Sequence, residues 1–212
     1  SIVKRLWSED SVTHKGKYFE LDDCLSWPKP ARKAMPIVCA TTSERGYKFV
    51  ADYCSDGFFG GSSLETQKQM SHRIKAVASE SGKSVRTHTL VMLIPGDSVA
   101  AAQTMLDAYT AGADTIENIY RLRAGNKPES RQANYKARFE IDLRLFYGGV
   151  PFVGGPEKVA ERIEELAVDG DVDGVMFIFP DFIEGLQRFG EQVMPILRKR
   201  GLRPLGQALA AM

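Results

Sequence analysis

The chain has 212 residues, 43% hydrophobic and 26% charged, with a formal net charge of +1. That is a globular composition with enough apolar material for a sizeable core. Lysine and arginine are spread along the chain, which argues against a broad nucleic-acid or membrane surface, and no apolar run reaches the length of about 18 residues that a membrane span needs. No leader-peptide pattern is visible. Cys24, Cys39 and Cys54 form no CxxC pair. Their odd number and strand-like or helical settings suggest reduced, mostly buried thiols in a cytoplasmic protein rather than a disulfide or metal framework.

In chain order, Ile2, Val3, Leu6 and Trp7 have the spacing of an amphipathic helix. Only Ser1 is there to cap it, so it reads as the last turns of a helix that starts upstream. Gly16 marks a turn, and Tyr18, Phe19 and Leu21 read as a short strand. The prolines of "WPKPARKAMP" forbid helix and predict an extended connection. "MPIVCA" is a nearly continuous apolar run, as in a strand buried on both faces.

Ser43 then opens a helix in which Tyr47, Phe49, Val50, Tyr53 and Cys54 supply apolar surface, with Asp56-Gly57 ending it and "GFFGG" as the next strand. "SSLE" is a capping-box pattern built on Ser62 and Glu65, and Met70, Ile74 and Val77 follow at helical spacing up to Gly82. "VRTHTLVMLIPG" is a third strand, stopped by Pro95-Gly96, and 98–112 is an Ala-rich helix. A polar break spans 125–130, and "RQANYKARFEIDLRLF" reads as helical. "YGGVPFVGG" reads as an irregular crossing or a mobile lid. Pro156 starts a helix whose Val159, Ile163 and Leu166 face inward. "GVMFIFPD" is a fourth strand, and a last helix runs through Leu186, Phe189, Val193 and Leu197, with a frayed tail after Pro204.

Apolar strands alternating with helices predict an α/β fold with a parallel sheet wrapped by helices, either doubly wound or a β/α barrel. About four β/α units are present in one domain, 1–212, with 97–150 as an insertion between the third and fourth units. A closed eight-stranded barrel typically takes about 250 residues, so four units behind a severed helix point to roughly half of one. A half barrel has open sheet edges, which favour homo-oligomers or a further segment.

Several polar residues are candidates for a site. Ser43 is an N-cap in any case; a helix N-terminus also stabilises anions through free N–H groups and its partial positive charge. Gly46 allows close backbone approach. Glu44 places a negative charge at this helix end, and Arg45 is the nearest residue that offsets it. Gly154-Gly155-Pro156 is either a second anion-binding turn or the start of a helix. His88 is either an acid–base group at a barrel mouth or a satisfied wall residue. Asp181 is either functional, as carboxylates after barrel strands often are, or a helix start. His14 and His72 read as solvent-facing, and no histidine pair has metal-ligand spacing.

Four stretches occur together in order: "LWSEDSVTHKGKYFELDDCLSWPKP", "MPIVCATTSERGYKFVADYCSDGFF", "FVGGPEKVAERI" and "GVMFIFPDFIEGLQRFGEQVMPIL". In this order they resemble the C-terminal half of the bacterial-luciferase-like flavin monooxygenases, and within that family the pyrimidine monooxygenase branch. The resemblance implies a TIM-barrel fold, of which only about the C-terminal half is present. It implies a two-component monooxygenase that uses reduced FMN and O2, with NAD(P)H entering only through a separate flavin reductase. The substrate is a small organic molecule, such as a pyrimidine or other N-heterocycle. Ser43 matches the serine that contacts the flavin phosphate after the fifth strand, with Thr42 and Gly46 beside it; relatives often carry Gly or Gln at the positions of Thr41 and Thr42. The family's catalytic residues fall upstream of Ser1, so none is assigned. A flavin-binding homologue without turnover and a deazaflavin-dependent oxidoreductase stay open as alternatives.

Overall fold

The computed structural model describes residues 1–32, 35–61, 63–111 and 150–202. The polar break at 125–130, the helix expected after it, Ser62 and the tail after Pro204 lie outside the described residues.

Helix α1 (Ile2–Ser8) leads into an antiparallel hairpin of β1 (Val12–Lys15) and β2 (Glu20–Cys24). The hairpin differs from the single strand expected. Gly16 donates its N–H to the Phe19 carbonyl across the turn, so Tyr18 and Phe19 occupy the exposed tip and β1 forms before it. After the proline-rich connection come β3 (Val38–Ala40), α2 (Glu44–Tyr53), β4 (Asp56–Phe59), α3 (Leu64–Glu80), β5 (Arg86–Pro95) and α4 (Val99–Ala111). Then follow β6 (Val150–Gly154), α5 (Pro156–Val168), β7 (Gly174–Ile178) and α6 (Phe182–Arg188). α6 continues through one wide π-helical turn (Phe189–Val193) into α7 (Met194–Lys199).

Three boundaries shift from expectation. α2 is capped at its C-terminus by Cys54, so Asp56-Gly57 opens β4 instead of ending the helix. The N-cap of α3 is Ser63, whose side chain accepts from the Thr66 N–H, one residue later than the Ser62 box. Residues 150–154 form a strand rather than an irregular crossing, because their backbone pairs in register with Val91–Pro95 of β5.

Strands β3, β4, β5, β6 and β7 form one parallel sheet. β5 is its axis. His88 and Thr89 pair with both β4 and β7, and Val91 and Met92 pair with both β6 and β7. A residue has only two edges, so β7 lies on one side of β5 while β4 and then β6 follow each other along the other.

Side chains alternate across the sheet. On the outer face Val91 and Leu93 join Val50, Ile74, Val159, Ile163 and Leu166 in the main core. There Gln67 and Ser71 of α3 reach Thr89 and Thr87 at 2.9 and 2.8 Å. On the inner face Met92 and Ile94 are covered by Leu106, so α4 packs across the C-terminal end of β5 and not in the outer helical layer.

The rest of the inner face is open. Val38 is 57% exposed and Met176 51%. This departs from strands buried on both faces, because among the described residues only the outer helical layer packs against them. Phe49 and Tyr53, part of the apolar surface expected of α2, are exposed, as is Leu186, and the Phe49 and Tyr53 rings lie tilted against each other with centroids 5.1 Å apart. The cysteines are all half-buried rather than buried.

Candidate functional site

All strands of the main sheet run parallel, so their C-terminal ends lie at one rim. There β3 leaves Thr41, Thr42 and Ser43 at the start of α2. Ser43 is the N-cap: its backbone is extended and its Oγ accepts from the Gly46 N–H at 3.2 Å. The N–H groups of Glu44 and Arg45 have no acceptor within the helix, and Thr42 and Ser43 are exposed beside them.

Thr41, not singled out as a site residue from sequence, organises this end. Its Oγ1 accepts from the Ser43 N–H at 3.3 Å. A Cβ on Gly46 would lie 1.6 Å from the same oxygen. Gly46 is therefore small because Thr41 occupies that space, which gives its glycine a packing role within the protein itself.

The charge at this helix end is also handled differently from expectation. Arg73 of α3 grips Glu44 in a bidentate pair, Nε to Oε1 at 2.9 Å and Nη2 to Oε2 at 2.8 Å. That hydrogen bonding holds the Glu44 carboxyl below the usual range. Arg73, not Arg45, offsets Glu44; Arg45 is exposed and has no ion-pair partner among the described residues. The two partners lie 29 positions apart, so no local sequence signal announces the pair.

The other candidates resolve as follows. His88 lies on the inner face near the N-terminal end of β5, away from this rim, with Nε2 2.7 Å from Oδ1 of Asp56. Arg86 also binds Asp56, Nε to Oδ1 at 2.7 Å, and the Ser55 hydroxyl donates to its other oxygen. Burial pushes the Asp56 carboxyl up, but bonds from Ser55, His88 and Arg86 outweigh it and hold it below the usual range. A Cβ on Gly174 would meet His88 Nδ1 at 2.4 Å, so the ring lies flat against β7. His88 is thus a satisfied wall residue.

Asp181 caps α6, accepting from the Glu184 N–H at 3.0 Å. Gly155 is the N-cap of α5 and Pro156 its first residue. His72 is exposed and His14 half-buried. A shallow cleft between α4 and α6 opens at the rim, lined by Met105, Tyr109, Pro180, Asp181, Glu184 and Arg188. Arg188 closes its edge, pairing with Asp97 at 2.6 Å and Glu184 at 2.9 Å. Among the described residues no cluster of metal-ligating side chains occurs, and no helix is long and apolar enough to cross a membrane.

The profile of the family described as luciferase-like monooxygenase matches residues 1–173. Curated relatives include the pyrimidine monooxygenase RutA of Acinetobacter baylyi, 28% identical over 210 residues, covering 94% of this chain and 55% of the relative. RutA of Serratia proteamaculans is 29% identical over 207 residues, with 94% and 56% covered. The chain therefore spans about half the length of these relatives. Among solved structures, the long-chain alkane monooxygenase LadA superposes with a TM-score of 0.79 at 21% identity, covering 96% of this chain and 55% of that one. Riboflavin lyase (RcaE), solved with modified FMN and riboflavin, superposes with a TM-score of 0.73 at 19% identity, with 95% and 56% covered. At these identities the superpositions speak to fold: the sheet and helices described above correspond to part of a larger barrel.

Proposed function

The chain belongs to the luciferase-like monooxygenase family, and on that premise we propose that it carries the phosphate-binding part of an FMN-dependent monooxygenase acting on a small organic substrate. A pyrimidine or other N-heterocycle is the substrate class favoured by the RutA relatives. The single observation that carries the reading is the N-terminus of α2, where free amides, exposed hydroxyls and a neutralised carboxylate converge.

The residues fit a phosphate. Ser43 Oγ already accepts from the Gly46 N–H, which leaves its hydroxyl proton free to donate outward. The Glu44 and Arg45 amides donate at the positive end of the helix dipole, Thr42 adds a hydroxyl, and Gly46 lets Thr41 hold the turn in shape. Arg73 keeps Glu44 from repelling a dianion. When bound, reduced flavin supplies the electrons and the site of O2 activation, while the protein binds, orients and shields it.

Residues 1–212 make a single β/α domain in which 97–150 is an insertion; the packing of α4 on the inner face supports this. In the same reading a separate reductase delivers the reduced flavin, NAD(P)H acting only through it, and the protein works in the cytoplasm. The outer edges of β3 and β7 are unpaired among the described residues, which supports assembly into homo-oligomers or with further chain.

The test is FMN titration of the native protein and of Ser43→Ala, followed by flavin fluorescence. We expect FMN affinity to fall about tenfold, the size of one charge-assisted hydrogen bond, with riboflavin binding unchanged. Equal FMN affinity in both proteins would remove Ser43 from the site.

A further inference from the structure

Two thiols pack against the same core on the outer side of the sheet. Cys39 is the central residue of β3, and Cys54 is the C-cap of α2, where its N–H donates to the Val50 carbonyl at 2.9 Å. Both side chains pack against the main core, both are half-buried, and neither is in a disulfide. The two segments are tied together next to the thiols. Ile37 N–H donates to Ser55 Oγ at 2.9 Å, and the Ser55 and Asp56 N–H groups both reach the Ile37 carbonyl, at 3.1 and 3.2 Å. Cys39 Sγ donates to its neighbouring Ala40 carbonyl at 3.8 Å, and both Cys39 and Lys4 of α1 lie close enough to act on Cys54 electrostatically. Cys24 lies on β2, in the separate two-stranded sheet.

We propose that Cys39 and Cys54 are a reversible dithiol–disulfide pair whose oxidant is a hydroperoxide, hydrogen peroxide being the simplest. In the first step the Cys39 thiolate sulfur attacks one peroxide oxygen. An S–O bond forms, the O–O bond breaks, and the departing hydroxide takes up a proton to leave as water. In the second step the Cys54 sulfur displaces hydroxide from the Cys39 sulfenic acid. The S–S bond forms, the S–O bond breaks, and the Cys54 proton leaves with the hydroxide as a second water. Two thiols are oxidised, one peroxide is reduced, and the products are one disulfide and two waters.

Cys54 suits the resolving role. Burial pushes its thiol up and Cys39 adds to this, while Lys4 opposes; less thiolate is then available at Cys54 to meet the peroxide, which leaves the first attack to Cys39 and the second step to Cys54. Bond formation draws the sulfurs together to about 2.05 Å and closes the loop that holds all of α2. It thereby staples the end of that helix to the strand beneath it. The staple forms whether or not a flavin binds at Ser43.

The experiment treats the native protein with a small excess of hydrogen peroxide, then counts thiols after denaturation and maps disulfides by peptide mass spectrometry. We expect the three free thiols to fall to one, a mass loss of about 2 Da for two hydrogens removed, a Cys39–Cys54 peptide, and full recovery with dithiothreitol. Cys24→Ser keeps the reaction. Cys54→Ser stops at a Cys39 sulfenic acid that dimedone traps. The peptide map is made on the unmutated protein, so it decides the matter even if a serine variant folds poorly. Retention of three thiols in the treated native protein, or a disulfide that includes Cys24, overturns the pairing.

Discussion

Replacing Gly46 with alanine gives a prediction whose sign separates two physical accounts. Helix propensity alone favours alanine over glycine inside a helix by about 1 kcal/mol. The structure opposes it. The new Cβ would lie 1.6 Å from Thr41 Oγ1 and 2.6 Å from Thr41 Cβ. Rotating Thr41 about χ1 relieves the first contact, but Cβ does not move with χ1, so the second remains and backbone must shift. Overpacking of this kind costs about 1–3 kcal/mol. Turning Thr41 away also breaks its 3.3 Å bond from the Ser43 N–H, worth about 0.5–1.5 kcal/mol. Weighed against the propensity gain, Gly46→Ala is expected to destabilise by about 1–3 kcal/mol, lowering Tm by about 2–4 °C for each kcal/mol in a chain of this size. Urea denaturation followed by circular dichroism measures it. The double variant Thr41→Gly/Gly46→Ala removes the clash, and a double-mutant cycle should show a favourable coupling above about 1 kcal/mol. A Gly46→Ala protein more stable than the parent by about 1 kcal/mol would refute the packing account and leave propensity as the governing effect.

Two further outcomes follow from the charges. Arg73→Gln frees the Glu44 carboxylate beside the proposed phosphate, so FMN affinity should drop about threefold to tenfold, the scale of one like-charge contact near a surface, while riboflavin binding and stability stay nearly constant. An equal loss for both ligands would point to misfolding rather than charge. Asp56 carries a depressed carboxyl, so its contribution to stability is fully present above the unfolded carboxyl value of about 4 and is lost as pH falls through the lower folded value. Asp56→Asn should destabilise by about 1–3 kcal/mol at pH 7 through weakened bonds to Arg86 and His88, and should lose less stability than the parent between pH 7 and 3. Urea midpoints at the two pH values check this, and identical losses in both proteins would exclude Asp56 as a source of the acid sensitivity.

Sequence alone determined the elements whose cause is local. The spacing of Tyr47, Val50 and Cys54 makes α2, Ser43 caps it, and Pro156 starts α5, because periodicity, caps and proline act within a turn or two of chain. The parallel α/β class followed from apolar strands alternating with helices, and the order of four motif stretches pointed to the family that the profile match supports. Tertiary structure decided what depends on partners distant in sequence. β6 looked irregular because Val150–Gly154 is short and flanked by glycines, and only its pairing with β5 makes it a strand. The burial expected on both faces of β3 failed because the covering inner layer is not supplied by its neighbours in sequence. The candidate site divides in the same way. Ser43 was legible as a helix cap; Arg73 gripping Glu44 and His88 lying against Gly174 and Asp56 were not, because each contact joins separate β/α units whose relative placement is set by packing across the sheet.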